Sequence, residues 1–325
     1  MPHIFGTDVT FMMVDEVTYD TTPGTPAGIK LYPVSCGVKA SRNLLDPATI
    51  TTARVRTRPG AGNINVAGAL KYELSAQDIG HLLKHAIGAP TTSGAGPYTH
   101  TFKPAALPTS FLLEKDHGSK LGSSSGRTEY FNGCRISSVA FDFPTEGFCT
   151  ADFSIQGAKT TLGTAPLDAS LTDYGHTSFT SFEATLIKEG GSSIATVQSA
   201  QFTVDNGLDG SMYVIGGAGV RRSLPEGFCT ISGTLTALFE DASLIAKAIS
   251  RTPTSFQITL SRGDGLGSAG NESIDFTIPH MDYELSSPAV ETASGLVVQL
   301  GFKAYASSPD LGLAVVVKNA VATYA

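Results

Sequence analysis

The amino-acid sequence predicts a mainly β protein with two tandem β-sandwich or barrel domains, each carrying one short flanking α-helix. Composition is the first observation: 16% of the 325 residues are charged and 35 are glycine, which suits strands joined by many turns. The second observation is a strand that leads into an amphipathic helix within residues 63–88. The third is that this pattern recurs in the second half of the chain.

Residues 63–88 carry the clearest periodicity. Apolar residues alternate from Ile64 to Leu74, as in a half-buried strand. From Ile79 to Ile87 they recur every three or four residues, which predicts a helix with one apolar face. Ser75 suits the start of this helix and Gly88 its end. The rest of each half predicts six to eight strands, and many strands with one helix favour a sandwich or an open barrel.

A shift of 165 residues aligns part of the first half with the second. Because such matches follow one another in order, they indicate a duplication. We predict a first domain at residues 1–160, a linker at 161–178 and a second domain at 179–325, with an extra loop at about 89–106 in the first copy. The aligned pairs are Arg56 with Arg221, Gly62 with Gly227, Ile64 with Cys229, Val66 with Ile231, Gly68 with Gly233 and Leu70 with Leu235; Pro108–Phe111 also recurs as Pro253–Phe256.

Charge and special residues exclude several classes of function. A net charge of −7 argues against nucleic-acid binding by the whole chain. The four cysteines lack metal-ligand spacing, so we expect buried free thiols, no metal and no cofactor. The first residues lack the basic and apolar regions of a signal peptide, and no apolar run reaches the roughly 20 residues of a membrane span.

Two motifs that carry chemistry elsewhere are weak in this chain. Gly122–Gly126 fits the GxSxG pattern around Ser124, but polar residues flank it where a nucleophile elbow needs a strand and a helix. His81 and His85 have the spacing of two zinc ligands without the glutamate that would follow the first. We therefore expect a flexible turn and a polar helix face respectively, and no enzyme.

Arginines are concentrated in the two long loops that the repeat makes equivalent. Their presence leaves three interpretations open: ion pairs with an acidic neighbouring subunit, a solvated loop, or contact with DNA. The acidic net charge favours the first of these. The residues are Arg54, Arg56 and Arg58 in the first loop, and Arg221 and Arg222 in the second.

A series of short motifs, in order along nearly the whole chain, resembles phage tail tube proteins (major tail proteins of long-tailed phages), specifically a two-domain type with a duplicated tube fold. Each motif is weak alone, and the resemblance depends on their order. The motifs are Glu16–Tyr19, Leu31–Ser35, Val66–Leu70, Leu82–Gly88, Tyr98–Phe102, Pro108–Phe111 and Tyr130–Val139.

The resemblance implies a structural virion protein. Three copies would close into a ring of pseudo-six-fold symmetry, and rings would stack through the loops at 46–62 and 209–227 into a hollow tail tube. DNA would pass through the lumen without specific binding. The implied partners are further copies of the chain and the tape measure, tail terminator and distal tail proteins, with assembly in the host cytoplasm and no membrane anchor. The alternative is a carbohydrate-binding or adhesive β-sandwich protein, which would need an aromatic platform, although the chain has no tryptophan.

Overall fold

A computed structural model describes residues 3–194, 196–288 and 295–324, so the outermost ends of the predicted domains, residues 1, 2 and 325, lie outside it. Strands dominate this part of the chain, as predicted. The first half contains β1 Thr10–Glu16, β2 Ile29–Leu31, β3 Ser35–Cys36, β4 Lys39–Leu45, β5 Gly60–Glu73, β6 Thr91–Ser93, β7 Tyr98–Phe102, β8 Ser110–Asp116, β9 Thr128–Phe143, β10 Thr150–Gly157 and β11 Lys159–Gly163, with α1 Gly80–Ala86. The second half contains β12 Ala184–Glu189, β13 Ser192–Ser193, β14 Val197–Asp205, β15 Thr230–Leu238, β16 Thr254–Ser261, β17 Ser273–Tyr283, β18 Val297–Ala304 and β19 Ala314–Asn319, with α2 Ser243–Ser250. Three short 3₁₀ helices span Gly6–Asp8, Ser119–Leu121 and Ser181–Glu183.

Eight strands form one antiparallel sheet that runs through both halves, which we call the long sheet. Its order is β4, β5, β10, β9, β14, β15, β18 and β17. The central pairing, β9 with β14, joins the halves: Phe141 lies opposite Phe202 and Val139 opposite Val204. β3 extends the β4 edge along β5 in the same register. The long sheet therefore ends at β4 on one side and at β17 on the other.

Each half also has a second layer. The long strands β9 and β17 each belong to both layers: one part of the strand pairs within the long sheet and the other part pairs within the second layer. The first layer has the order β2, β1, β8, β9, β11, and the second has the order β13, β12, β16, β17, β19. α1 lies against β9 and α2 against β17. The strand order and the helix position are thus the same in both halves.

Two glycines show how close this correspondence is. A Cβ added to Gly68 on β5 would lie 2.3 Å from the carbonyl oxygen of Gly37, and one added to Gly233 on β15 would lie 2.3 Å from that of Gln201. Real Cβ atoms do not approach a backbone oxygen so closely, so both sites require glycine. The two glycines occupy the same place between aligned strands.

The predicted strand and helix at residues 63–88 are confirmed, with one difference at the start of the helix. α1 begins at Gly80, five residues after Ser75, whose carbonyl oxygen accepts a bond from the amide of Ile79. The expectation of a polar helix face is wrong, because His81 and His85 are both buried. His85 Nε2 lies 2.8 Å from a carboxylate oxygen of Asp15, so this polar ring has a partner within the core.

The two halves share one hydrophobic core. Phe141 and Phe202, on the inner face of the long sheet, contact Phe276, which lies in the part of β17 that pairs with β16 and β19. The extra loop of the first copy contains the β6–β7 hairpin, and β7 pairs with β19 of the second half. Because the core is continuous, the domain boundaries at 160 and 179 stay a prediction.

The predicted linker is held against the first half by a buried carboxylate. Glu114 on β8 is 1% exposed, and its oxygens accept hydrogen bonds of 3.1 and 3.2 Å from the Leu167 amide. Asp116, Arg127 and Asp168 are the charged groups around it. Burial raises the pKa of Glu114 to about 7, although the bond from Leu167 opposes this rise.

This carboxylate makes folding stability depend on pH. Its pKa is higher in the folded chain than the ordinary 4.5, so the folded state retains a proton that the unfolded state has lost. The stabilisation is complete below pH 4.5 and is lost as pH rises through about 7. We expect the loss to be on the order of 2 kcal/mol, and Glu114→Gln to abolish most of it. Urea unfolding at pH 5 and pH 8 measures this, with Glu146→Gln, at an exposed position, as control. An unchanged pH dependence in Glu114→Gln would contradict the prediction.

Candidate self-assembly surfaces

β4 is an open edge of the long sheet in the isolated chain. All its residues are exposed except Ala40, which is half-buried. The amide of Gly37 donates to Ala69 O on β5 at 2.7 Å, and amides alternate in direction along a strand, so the amide of Ala40 points away from β5. Unpaired strand edges invite pairing with another chain.

The opposite edge is formed by β17 and the residues after it. β17 pairs with β18 as far as Tyr283, and the amide of Glu284 still donates to Gly301 O at 2.7 Å. Residues 284–288 continue in this direction without a strand assignment, and Leu285 is 62% exposed. This edge is equivalent to the part of β9 that pairs with β14. The two open edges of the long sheet are therefore counterparts of the two strands, β9 and β14, that pair with each other inside the chain.

The outer face of the long sheet is polar and lined by small side chains. Its inner face is covered by the core, so alternate residues of each strand point outward to solvent. These include alanine, serine, threonine and glutamine, and acidic side chains outnumber basic ones. The charged residues whose strand register places them on this face include Lys39, Lys71, Glu73, Arg135, Asp142, Asp152, Asp205, Asp282, Glu284 and Lys303.

Arg221 lies at the junction of the halves and is 4% exposed. Its guanidinium donates to Gly157 O at 2.7 Å, to Asn65 Oδ1 at 2.8 Å and, through Nε, to Gly210 O at 2.8 Å. It also stacks over the ring of Tyr213, 5.4 Å from the ring centroid. Three acceptors and an aromatic face account for the burial of this charge.

The other predicted arginines are exposed. Arg54, Arg56 and Arg58 lie on the loop between β4 and β5, where Arg56 bonds to Asp46 at 3.2 Å, and Arg222 lies beside Arg221 on the loop between β14 and β15. Both loops leave the same end of the long sheet. A role for the five arginines in assembly stays a prediction.

A family model described as phage tail tube protein matches residues 6–304. The chain belongs to the phage tail tube protein family. The resemblance to phage tail tube proteins is therefore confirmed at the level of the family, and the protein is a structural component of a phage tail that assembles with itself into a tube. A search of curated proteins found no match.

One arrangement in the tail tube protein has the connectivity of a serine hydrolase triad. His176 Nδ1 lies 2.9 Å from Asp78 Oδ2, and His176 Nε2 lies 3.2 Å from Ser178 Oγ. However, the hydroxyl of Ser178 donates its only proton to Glu73 at 2.5 Å. His176 then donates to Ser178 instead of accepting its proton, which is the reverse of base catalysis. The cluster fastens the predicted linker to β5 and to the turn before α1.

Other chemical sites do not emerge from the described part of the tail tube protein. Ser124 lies in an exposed turn, not between a strand and a helix. Within residues 3–194, 196–288 and 295–324, no three His, Cys, Asp or Glu side chains are grouped so that they could hold a metal ion. Helices in these same ranges are all too short or too polar to cross a membrane. The four cysteines are free. Cys134 and Cys149 are buried as expected, Cys36 is only half-buried, and Cys229 is exposed, so the expectation of a buried thiol is wrong for Cys229.

Sequence reasoning did not identify the two sheet edges or the polar face. Exposure of β4 depends on which strands pair, and the alternation of its side chains is too short and polar to indicate an edge. The burial of Arg221 was also missed, although its alignment with Arg56 marked the position. The available signal was the repeat in the sequence: where two halves share a pattern, the contacts of one half indicate which surface the other half presents.

Proposed function

We propose that three copies of this tail tube protein close into a ring with pseudo-six-fold symmetry, and that stacked rings form the hollow tube through which DNA is delivered. The proposal also includes the duplication of the fold and the tape measure, tail terminator and distal tail proteins as partners. The observation that carries it is the β9–β14 pairing, in which two equivalent four-stranded sheets meet edge to edge.

Repeating that pairing between copies closes the long sheet. β4 corresponds to β14. Lys39 on β4 pairs with Ala67, Thr203 on β14 pairs with Ser232, and the shift of 165 residues aligns Ala67 with Ser232. The segment after β17 corresponds to the end of β9. In this arrangement Ala40 faces Leu285 of the partner subunit, as Val204 faces Val139 within the chain. Head-to-tail contact of unlike edges gives a ring when the rotation closes.

The resulting barrel is wide enough for DNA. Three copies supply about 24 strands, and at about 4.8 Å per strand the circumference is roughly 115 Å, which gives a diameter of about 37 Å between backbones. Strand tilt increases this value. Side chains on the outer face of the long sheet then line the bore. Because these are small and polar and include more acidic than basic residues, the wall offers few contacts that neutralise phosphates and release counterions.

Charge reversal on this face tests its position. We expect tubes of the double variant Asp142→Lys with Asp152→Lys to retain duplex DNA that wild-type tubes release, because added lysines neutralise phosphates. Retention should weaken as salt is raised. DNA binding to purified tubes in a salt titration measures the effect. Asp264→Lys, on an exposed hairpin away from the long sheet, is the control. Equal retention by both variants would show that this face does not line the bore.

Electron microscopy of the purified protein and of virions tests the proposal as a whole. Hollow tubes whose cross-section has six similar lobes built from three chains support it. Rings of six chains would contradict the proposed three-chain ring but not the proposed tube. Protein that stays monomeric at every concentration and is absent from the tail would overturn the proposal.

A further inference from the structure

The two equivalent long loops differ in their surroundings. The loop between β14 and β15 is docked on the first half: the amide of Ile64 donates to Gly219 O at 2.8 Å, the hydroxyl of Tyr213 donates to Ile64 O at 2.8 Å, and Arg221 is buried. In the loop at 46–59, every residue except Pro47 is exposed. The side chain of Arg56 is 68% exposed there.

The loops share a sequence pattern despite this difference. The segments ITTARVR at 50–56 and IGGAGVR at 215–221 have four identical residues at identical spacing. Among these, Val220 and Arg221 belong to the docked part of the second loop. The matching residues are Ile50 with Ile215, Ala53 with Ala218, Val55 with Val220 and Arg56 with Arg221. A segment built for docking in one half is therefore present, without a docking surface, in the other.

We propose that the loop at 46–59 docks sideways on the next copy in the ring, where Arg56 takes the place that Arg221 takes within the chain. This inference rests on the proposed ring. The alignment identifies the contacts. Arg221 donates to the carbonyl of Gly157, which lies opposite Val66. Ala304 lies opposite Ile231, the residue aligned with Val66. Arg56 therefore donates to the carbonyl of Ala304 of the partner subunit. Its second acceptor is the hydroxyl of Thr230 of the partner subunit, in place of Asn65.

The backbone contact transfers in the same way. Gly219 aligns with Arg54 and Ile64 with Cys229. The carbonyl of Arg54 therefore accepts from the amide of Cys229 of the partner subunit. This pair of positions lies at the centre of the proposed contact.

The receiving surface is open in the isolated chain. Residues 225–230 are all exposed, and the side chain of Phe228 is 94% exposed. Asp205 lies at this end of the long sheet, and so does Glu226, which bonds to Arg135 at 2.9 Å, so Arg54 and Arg56 of the incoming loop approach an acidic surface. Acidic groups at this surface agree with the acidic neighbouring subunit that the sequence favours for these loops. A second copy of this chain is the occupant, because only the loop at 46–59 repeats the pattern of the docked loop.

Docking of the loop base leaves its tip free. Ile215 is fully exposed although its loop is docked, and Ile50 occupies the same place in the other loop. The tips of both loops therefore remain available to the next ring in the stack, while Arg56 acts within its own ring.

Cross-linking of assembled tubes tests the proposal. Arg54→Cys places a thiol beside the natural Cys229 of the partner subunit, and a short bismaleimide joins the two. We expect covalent oligomers that stop at the number of chains in one ring, three for the proposed ring. Wild type, and Arg54→Cys combined with Cys229→Ser, are the controls and should give no such product. A ladder that extends beyond one ring, or no cross-link in tubes that form normally, would overturn sideways docking without affecting the tube itself.

Arginine variants provide a test that does not need the thiols. We expect Arg56→Ala to raise the protein concentration required for tube formation by about tenfold or more, and Arg56→Lys to restore part of the loss. Arg58→Ala is the matched control, because it aligns with Ser223 and has no proposed contact. Equal assembly of Arg56→Ala and wild type would contradict the inference. Failure of wild type itself to form tubes would instead contradict the proposed function.

Discussion

Ala40→Pro is expected to prevent ring closure while leaving the chain folded. Proline removes one amide donor, and at residue 40 that donor points away from β5. The internal ladder between β4 and β5 therefore keeps its bonds, and proline is tolerated in edge strands for this reason. In the ring, the same amide faces the partner subunit, where the pyrrolidine ring would also obstruct the approaching strand. We expect the concentration required for tube formation to rise by at least about tenfold, with near-complete loss at ordinary concentrations.

Two measurements separate this effect from misfolding. Thermal unfolding of the unassembled variant should occur close to the wild-type temperature, and electron microscopy should show few or no tubes. Ala40→Val is the matched control, because it keeps the amide and suits a strand, so its tubes should form normally. Normal tubes from Ala40→Pro would mean that β4 is not the closing edge. A variant that is itself unfolded would show that the amide of Ala40 is needed within the chain.

The strand–helix units were predictable because each is encoded locally. Alternation from Ile64 to Leu74 and helical spacing from Ile79 to Ile87 correspond to β5 and α1. His81 and His85 were misassigned because periodicity gives the apolar face of a helix but not the polar partners available beneath it. Asp15, which bonds to His85, is 70 residues away in sequence. Pairings of that separation are set by tertiary packing.

The assembly surfaces needed the structure for a related reason. Sequence alignment identified Arg56 and Arg221 as equivalent and therefore suggested a common environment. Their environments differ because the second half has the first half beside it, whereas the first half needs another copy of the chain. Local pattern cannot show which surface of a repeat is covered, since that depends on the order of the halves. The strand pairing between β9 and β14 supplies this information.

Arg221→Ala should lower the free energy of unfolding of the unassembled chain by on the order of 3 kcal/mol. The substitution leaves Gly157 O and Asn65 Oδ1 without their donor at a buried position and opens a cavity beside Tyr213. Arg222→Ala, at the exposed neighbouring position, should change stability by less than about 0.5 kcal/mol. Urea unfolding of unassembled protein measures both.

The equivalent arginine makes this measurement decisive for the assembly. Arg56→Ala should also change the stability of the unassembled chain by less than about 0.5 kcal/mol, because its side chain is exposed there and surface pairs contribute little. The two aligned arginines would then have different roles: Arg221 stabilises the fold and Arg56 stabilises the ring. A loss from Arg56→Ala as large as that from Arg221→Ala would mean that the loop at 46–59 is bound within its own chain, and the surface assigned to the partner subunit would have no occupant.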